Sequence, residues 1–257
     1  MDFTPLLSYV RHWLTCVDRH SLQAPFLYSF YDKVIKGPKG DGSLELFRAS
    51  LLKSDKTIKT TDFGAGSKVQ SGTERKISKI AKYGVCGSKE GDFLRNLAVF
   101  LQAKHILELG TSLGLGSMYL ASSSEETKVT TFEGCPEIAA EAERNFLKMG
   151  YGNIELMSGD IDKTLPDFLG KTKSPDLVFL DANHTYEATL RYFRMLLPVV
   201  TEKTTLVFDD IHWSKGMERA WNEISKSEEV GLALDLYHVG VVFFRKDLQP
   251  FSFPIKM

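Results

Sequence analysis

From about residue 104 onward, short apolar runs alternate with helical stretches over brief connections. Two parallel strands cannot be joined by a tight turn, so this alternation commits the chain to a parallel sheet covered by helices on both faces. His105–Gly110 is an apolar run ending at glycine, and Gly116–Ala121 reads as a helix start. Lys128–Glu133 is β-branched and aromatic. Pro136 then stands at a first helical position, Ile138, Ala142 and Phe146 recur at helical spacing, and Gly150 is placed to cap the helix. Strands are expected at 153–158, 176–180, 205–208, 233–238 and 241–245, the last two hinged at Gly240. Helices are expected near 165–169, 186–200 and 217–225.

The first hundred residues follow another pattern. Pro5 opens a helix with Leu6, Val10, Trp13 and Val17 on one face. Pro25 opens a second, carrying Phe26, Phe30 and Val34, which Gly37-Pro38 stops. Residues 37–42 read as a turn, Ser43–Lys53 as a third helix, Thr57–Phe63 as an exposed strand and Glu74–Lys82 as a basic helix. The 257 residues therefore divide into a mainly helical extension, 1–94, and an α/β domain, 95–257.

Charge and composition narrow the function classes. The 32 Lys and Arg nearly balance 33 Asp and Glu, so no global field draws the chain to nucleic acid. No apolar run approaches the ~20 residues a bilayer requires, and Arg11, His12, Asp18 and Arg19 interrupt any leader-like stretch. Cys16, Cys86 and Cys135 are widely spaced with no CxxC pair, which suits a reducing cytoplasm and offers no zinc framework.

In an open parallel sheet, ligands bind beyond the carboxyl ends of the strands, where strand order reverses. Behind the first strand stands Glu108-Leu-Gly110-Thr-Ser-Leu-Gly114-Leu-Gly116, whose glycines permit a tight turn and close backbone approach at a helix N-terminus. The second strand ends in Glu133, placed to accept hydrogen bonds from ribose hydroxyls. The third ends in Ser158-Gly159-Asp160, where a carboxylate could meet an adenine amino group. Each acid alone is equally a helix cap; three successive strand ends together describe an adenosine site.

These motifs resemble the class I S-adenosylmethionine-dependent methyltransferases over roughly residues 95–246. ILELGTSLGLGS is similar to the family's glycine-rich first motif, TFEG to its ribose-binding acid, SGD to its adenine loop, and LVFLDANH and LVFDDIHW to its later strand ends. The resemblance implies a Rossmann-like, doubly wound, mostly parallel seven-stranded sheet with an antiparallel last strand. It implies adenosylmethionine held by Glu108, Gly110, Thr111, Ser112, Gly116, Ser117, Glu133, Gly159, Asp160, Ile161 and Asp181. The loop lacks the tighter DxGxGxG spacing; its GTSxGxxS form is closer to the small-molecule O-methyltransferases of the catechol, caffeoyl-CoA and antibiotic-sugar kinds. It is not the GxGxxG of a nicotinamide dehydrogenase.

Asp181, Asp209 and Asp210 converge at the fourth and fifth strand ends, a costly arrangement unless a cation or protons neutralise them. Hard oxygen ligands suit Mg²⁺ or another divalent cation, and metal-dependent O-methyltransferases resemble this layout. The alternative assigns one aspartate to the methionine ammonium and another to a helix cap. Relatives of the catechol kind carry a basic lysine where His184 stands, so His184 is the candidate base beside Asp181, with His212 a weaker one. His12, His20, His105 and His238 read as structural or surface residues.

The small-molecule acceptor falls to the extension. Trp13, Phe26, Tyr28, Phe30 and Tyr31 either line an apolar pocket or pack the extension on the sheet. Asp62–Ser67 is a lid or a plain turn, and Lys76, Lys79 and Lys82 form a solvated face or greet an acidic acceptor. Apolar surface on the extension could support a homodimer. Two other readings stay open: nitrogen methylation of a protein or RNA, which the absence of an NPPY motif disfavours, and a non-catalytic adenosylmethionine-binding module.

Overall fold

A computed structural model describes residues 4–17, 24–40, 42–60, 74–247 and 251–256. The extension begins with α1 (Thr4–Thr15) and α2 (Pro25–Phe30), and α2 runs on as a π-helical turn, Tyr31–Ile35. It continues through α3 (Ser43–Leu52), β1 (Thr57–Lys59), β2 (Glu74–Lys76) and α4 (Ile77–Tyr83). β1 and β2 pair antiparallel, so Glu74–Lys82 is not one helix. Lys76 lies in a strand, apart from the helical Lys79 and Lys82. The suggested lid, Asp62–Ser67, falls outside the described residues.

A long helix, α5 (Ser88–Leu101), leads into the sheet and passes residues 94 and 95 unbroken. The alternation then unfolds as the sequence reads: β3 (His105–Leu109), α6 (Leu115–Ala121), β4 (Lys128–Glu133), α7 (Pro136–Met149), β5 (Ile154–Ser158) and α8 (Ile161–Leu169). β6 (Leu177–Leu180), α9 (Tyr186–Leu196), β7 (Thr205–Asp209) and α10 (Lys215–Ile224) follow, then β8 (Leu232–Asp235) and β9 (Val239–Phe243). Pro136 and Gly150, the latter left-handed at φ 77°, bound α7 as expected. With a last strand, β10 (Phe251–Pro254), the strand order is β10-β8-β9-β7-β6-β3-β4-β5, and β9 is antiparallel to both neighbours. Order reverses between β3 and β6, which opens a crevice at their carboxyl ends.

Within the main sheet, two details depart from the sequence reading. An eighth strand, β10 (Phe251–Pro254), adds parallel to β8 at the sheet edge, where a proline at the end disrupts no inner ladder. The last hairpin does not hinge at Gly240, which sits inside β9 opposite Phe208 and Asp235. A Cβ there would press into the Trp221 ring, so Gly240 is needed for its size. The turn falls instead at Leu236–His238, where Tyr237 adopts φ 71° and its N–H is held by Asp235 Oδ1 at 2.8 Å.

Both sheet faces are covered. On one, Phe30, Val34, Leu94 and Leu97 pack with Ile106, Val129, Leu234 and Phe243; on the other, Leu190, Phe193 and Trp221 cover Leu107, Val178 and Phe208. Phe30 and Val34 are almost wholly buried, and each such side chain contributes about 1.5–3 kcal/mol to docking the extension. Phe26 and Phe30 stack edge-on against Phe243, so these aromatics pack the extension onto the sheet; Trp13 and Tyr28 are exposed. α1 shows the opposite face to the one expected. Val10 and Trp13 are exposed, while Ser8 and His12 are buried, bonded to Glu218 Oε1 and the Asp235 carbonyl at 3.1 Å each. Among the described residues, no helix is long and apolar enough to cross a membrane.

Candidate active site

The crevice opens into a cavity of about 1060 Å³, floored by the ends of β3, β4, β6 and β7 and walled by the extension. Gly110 makes the first turn. Its φ of 104° and its contact with the Asp181 carbonyl leave no room for a Cβ, and its N–H donates to Phe132 O at 2.9 Å. Ser112, itself left-handed at φ 49°, donates its N–H to Glu133 Oε2 at 2.9 Å, while Cys135 N–H donates to Oε1 at 2.9 Å. Burial pushes the Glu133 carboxyl up and the backbone N–H groups of Cys135, Ser112 and Gly134 oppose it. These bonds aim Glu133 into the cavity with lone pairs to spare for hydroxyl donors.

Asp160 and Ile161 also line the cavity. Asp160 doubles as the cap of α8, accepting from Asp162 N–H at 3.1 Å. Glu108, Thr111 and Ser117 are not in the cavity wall; they are buried beneath it. Glu108 Oε2 accepts from Ser117 Oγ and, at 2.6 Å, from Thr131 Oγ1, which bonds Thr111 Oγ1 at 2.6 Å. Burial raises the Glu108 carboxyl to about 7 despite these donors. Gly116 packs against that carboxyl, and Gly159 supports the Asp160 turn at φ 129°.

At the far end of the floor, single ligand atoms of Asp181, His184 and Asp209 lie within 4.8 Å of one another. His184 Nε2 stands 3.3 Å from Asp181 Oδ1. Asp210, at φ 53°, lines the same cavity outside that trio. Burial, then the neighbouring carboxylates, push Asp181 and Asp209 well above the usual range. The residues thus fit a divalent cation: two half-buried carboxylates repel one another, and a cation or a shared proton relieves them. His212 is elsewhere, bonded through Nε2 to Asp235 Oδ2 at 2.8 Å and stacked on Tyr237, which removes it as a base.

Several wall residues carry no motif. Cys86, Lys89, Glu90 and Asp92 come from α5 and the turn before it, Lys36 and Lys39 from the loop after the π-helical turn, and His238 from the last hairpin. Glu90 adds repulsion to Asp181 and Asp209. Its only sequence signal was a capping pattern: its side chain accepts from Gly87 N–H at 3.3 Å.

Residues 107–211 match the profile of a family described as a methyltransferase domain. A catechol O-methyltransferase from Niastella koreensis is 30% identical over 125 residues, which is 48% of this chain and 56% of that protein. One from Mycobacterium tuberculosis is 27% identical over 159 residues, 61% of this chain and 69% of that one. The chain thus spans little more than half the length of the first. Among solved structures, an O-methyltransferase from Bacillus cereus in complex with SAH aligns at TM-score 0.55 and 22% identity, covering 63% of this chain and 83% of that one. The SAH-bound Podospora anserina methyltransferase PaMTH1 aligns at 0.57 and 15%, covering 81% and 98%. The fold is that of these Rossmann-like methyltransferases. Over residues 107–211 the chain is thus similar to a methyltransferase domain, and over a longer stretch to catechol O-methyltransferases.

Proposed function

We propose that this chain methylates a hydroxyl of a small molecule, using S-adenosylmethionine and a divalent cation such as Mg²⁺. One observation carries the reading: Glu133, the Gly110–Ser112 turn and the Asp181/His184/Asp209 corner face a single cavity. Bound adenosylmethionine supplies an activated methyl group with its own leaving group, and a bound cation supplies a Lewis acid for the acceptor oxygen. The chain's task is positioning. Glu133 accepts from ribose hydroxyls, Asp160 and Ile161 border the adenine, and Gly110 and Ser112 let the backbone approach. Asp181 and Asp209 hold the cation, with Asp210 on the cavity wall outside their cluster. His184, held through Nε2 by Asp181, takes the acceptor's proton at its other ring nitrogen, Nδ1. The loop at Lys36–Lys39, with Arg75 and Tyr83, closes the cavity over the sheet. The names of the catechol O-methyltransferase relatives favour an adjacent pair of phenolic hydroxyls as the acceptor class.

The test is calorimetry with S-adenosylhomocysteine (SAH), followed by methyl transfer to 4-methylcatechol with Mg²⁺ or with EDTA. Micromolar SAH binding and cation-dependent transfer are expected; no SAH binding at millimolar concentration overturns the assignment. His184 also lies close enough to be a ligand. His184→Gln separates its roles, because a lost base lowers kcat at unchanged cation affinity and a lost ligand weakens the cation. The exposed Val10, Trp13 and Leu14 on α1 support a homodimer, which sedimentation of Trp13→Glu against the parent would reveal. The cysteine pattern supports a cytoplasmic setting, where all three thiols would stay reduced.

A further inference from the structure

The cavity is electrically two-sided. Its strand-end floor is acidic, with Glu133, Asp181, Asp209 and Asp210. The part of its wall built from the extension and α5 carries Lys36, Lys39, Arg75 and Lys89. The acids on that part are already engaged: Asp92 Oδ1 accepts from Gly40 N–H at 2.8 Å, and Glu90 Oε2 from Gly87 N–H at 3.3 Å. Among the described residues, neither Lys39 nor Lys89 has a carboxylate partner, and the Lys36 ammonium rests over the Tyr31 ring, 5.8 Å from its centroid.

The loop bearing Lys36 and Lys39 is held in place. Asn96, almost wholly buried, donates from Nδ2 to Pro38 O at 3.1 Å and to Val34 O at 3.5 Å. A Cβ at Gly37 would sit 2.6 Å from that same Nδ2, so glycine alone fits the close approach. The Asp92 bond fixes Gly40 from the other side. Two ammonium groups are thereby set on the rim by a pinned backbone, with only their own side chains left to order, and that lowers the cost of binding an anion there.

We propose that the acceptor carries an anionic group, a carboxylate or a phosphate-type oxyanion, which Lys36 and Lys39 hold while its hydroxyl lies at the aspartate corner. An anion is disfavoured at that corner itself, where Asp181 and Asp209 already repel each other, so the acceptor's anionic group falls to the lysines of the wall and its hydroxyl to the corner. Lys89 and Arg75 extend the same positive wall. The inference rests on the methyl-transfer reading and adds the charge and polarity of the acceptor.

The experiment measures binding to SAH-saturated protein with Mg²⁺, so it does not depend on turnover. The probes are 3,4-dihydroxybenzoate, 3,4-dihydroxyphenylphosphonate and the neutral methyl ester of the first. At low salt, one or both anions should bind about tenfold tighter than the ester, and the preferred arm identifies the oxyanion. The gap should shrink with added salt and close in Lys36→Ala/Lys39→Ala, while Lys39→Arg alone keeps it. Equal affinity for all three, no binding of any, or a preference that survives the double substitution overturns the proposal. If the double substitution instead abolishes SAH binding, the lysines serve the cofactor's carboxylate and the acceptor claim falls. Failure of the parent protein to bind SAH would count against the methyl-transfer reading itself.

Discussion

Glu108 offers the sharpest test of how the first motif works. Its carboxyl is 1% exposed, and burial moves its midpoint from the ordinary 4.5 to about 7. Below pH 4.5 both the folded and the unfolded chain hold this proton; above about 7 neither does. Between those limits the folded chain keeps the proton and the unfolded chain does not. Folding then takes up a proton, and stability falls as pH rises through the window. The displacement corresponds to about 3 kcal/mol, or roughly 6–12 °C in Tm for a chain of this size. Glu108→Gln removes the titration and keeps an acceptor oxygen for Ser117 and Thr131. Asp181 and Asp209 drift in the same direction and are present in both proteins, so the difference curve reports Glu108 together with its charge coupling to Asp181. Urea unfolding from pH 4.5 to 8 should show the variant gaining about 3 kcal/mol on the parent across that range, with SAH affinity unchanged within a factor of about two. A pH-independent difference would refute the burial argument. A tenfold loss of SAH affinity would make Glu108 a cofactor contact instead.

Glu133→Gln should weaken SAH about ten- to a hundredfold in calorimetry, since hydrogen bonds to a charged acceptor contribute about 1.5–3 kcal/mol each; unchanged affinity would remove it from the ribose site. Asp209→Asn should raise the metal-free Tm by relieving the repulsion with Asp181 and abolish the Tm gain on adding Mg²⁺ or Mn²⁺, both read by thermal scanning. Gly110→Ala places a methyl group against the Asp181 carbonyl at a φ of 104°. It should cost about 3 kcal/mol or more in urea unfolding, and a loss under 1 kcal/mol would show that the turn yields.

Much of the domain is legible because period and punctuation agree there. Lys128–Glu133 is a strand from first residue to last, and α7 runs between the proline and glycine that mark it. The failures share a cause: a residue type with two uses. Gly240 reads as a hinge, yet it is glycine because a Trp221 ring lies against it. The face of α1 was read from its apolar residues, but the helix docks through Ser8 and His12, whose partners Glu218 and Asp235 are more than 200 positions away. Lys36, Lys39 and Glu90 belong to segments outside the strand-end rule, and only the packing of α2 and α5 on the sheet brings them to the cavity.

The two acids of the cofactor motifs show where sequence stops and register begins. Both Glu108 and Glu133 stand at strand ends, and pattern alone gives them the same role. In the sheet, Glu108 lies opposite Thr131, and the last pair of the β3–β4 ladder is Leu109 with Phe132. Glu108 therefore points with Thr131 into the layer beneath α6, where Ser117 closes over it. Glu133 extends one residue past the ladder and has no β3 residue opposite. Its carboxylate reaches the N–H of Ser112 and opens on the cavity. One residue of overhang separates a structural carboxyl that holds its proton to about pH 7 from a carboxylate available to a ribose. By side-chain alternation Thr131 and Glu133 share one face, so position past the end of β3, not a change of face, sets the two acids apart.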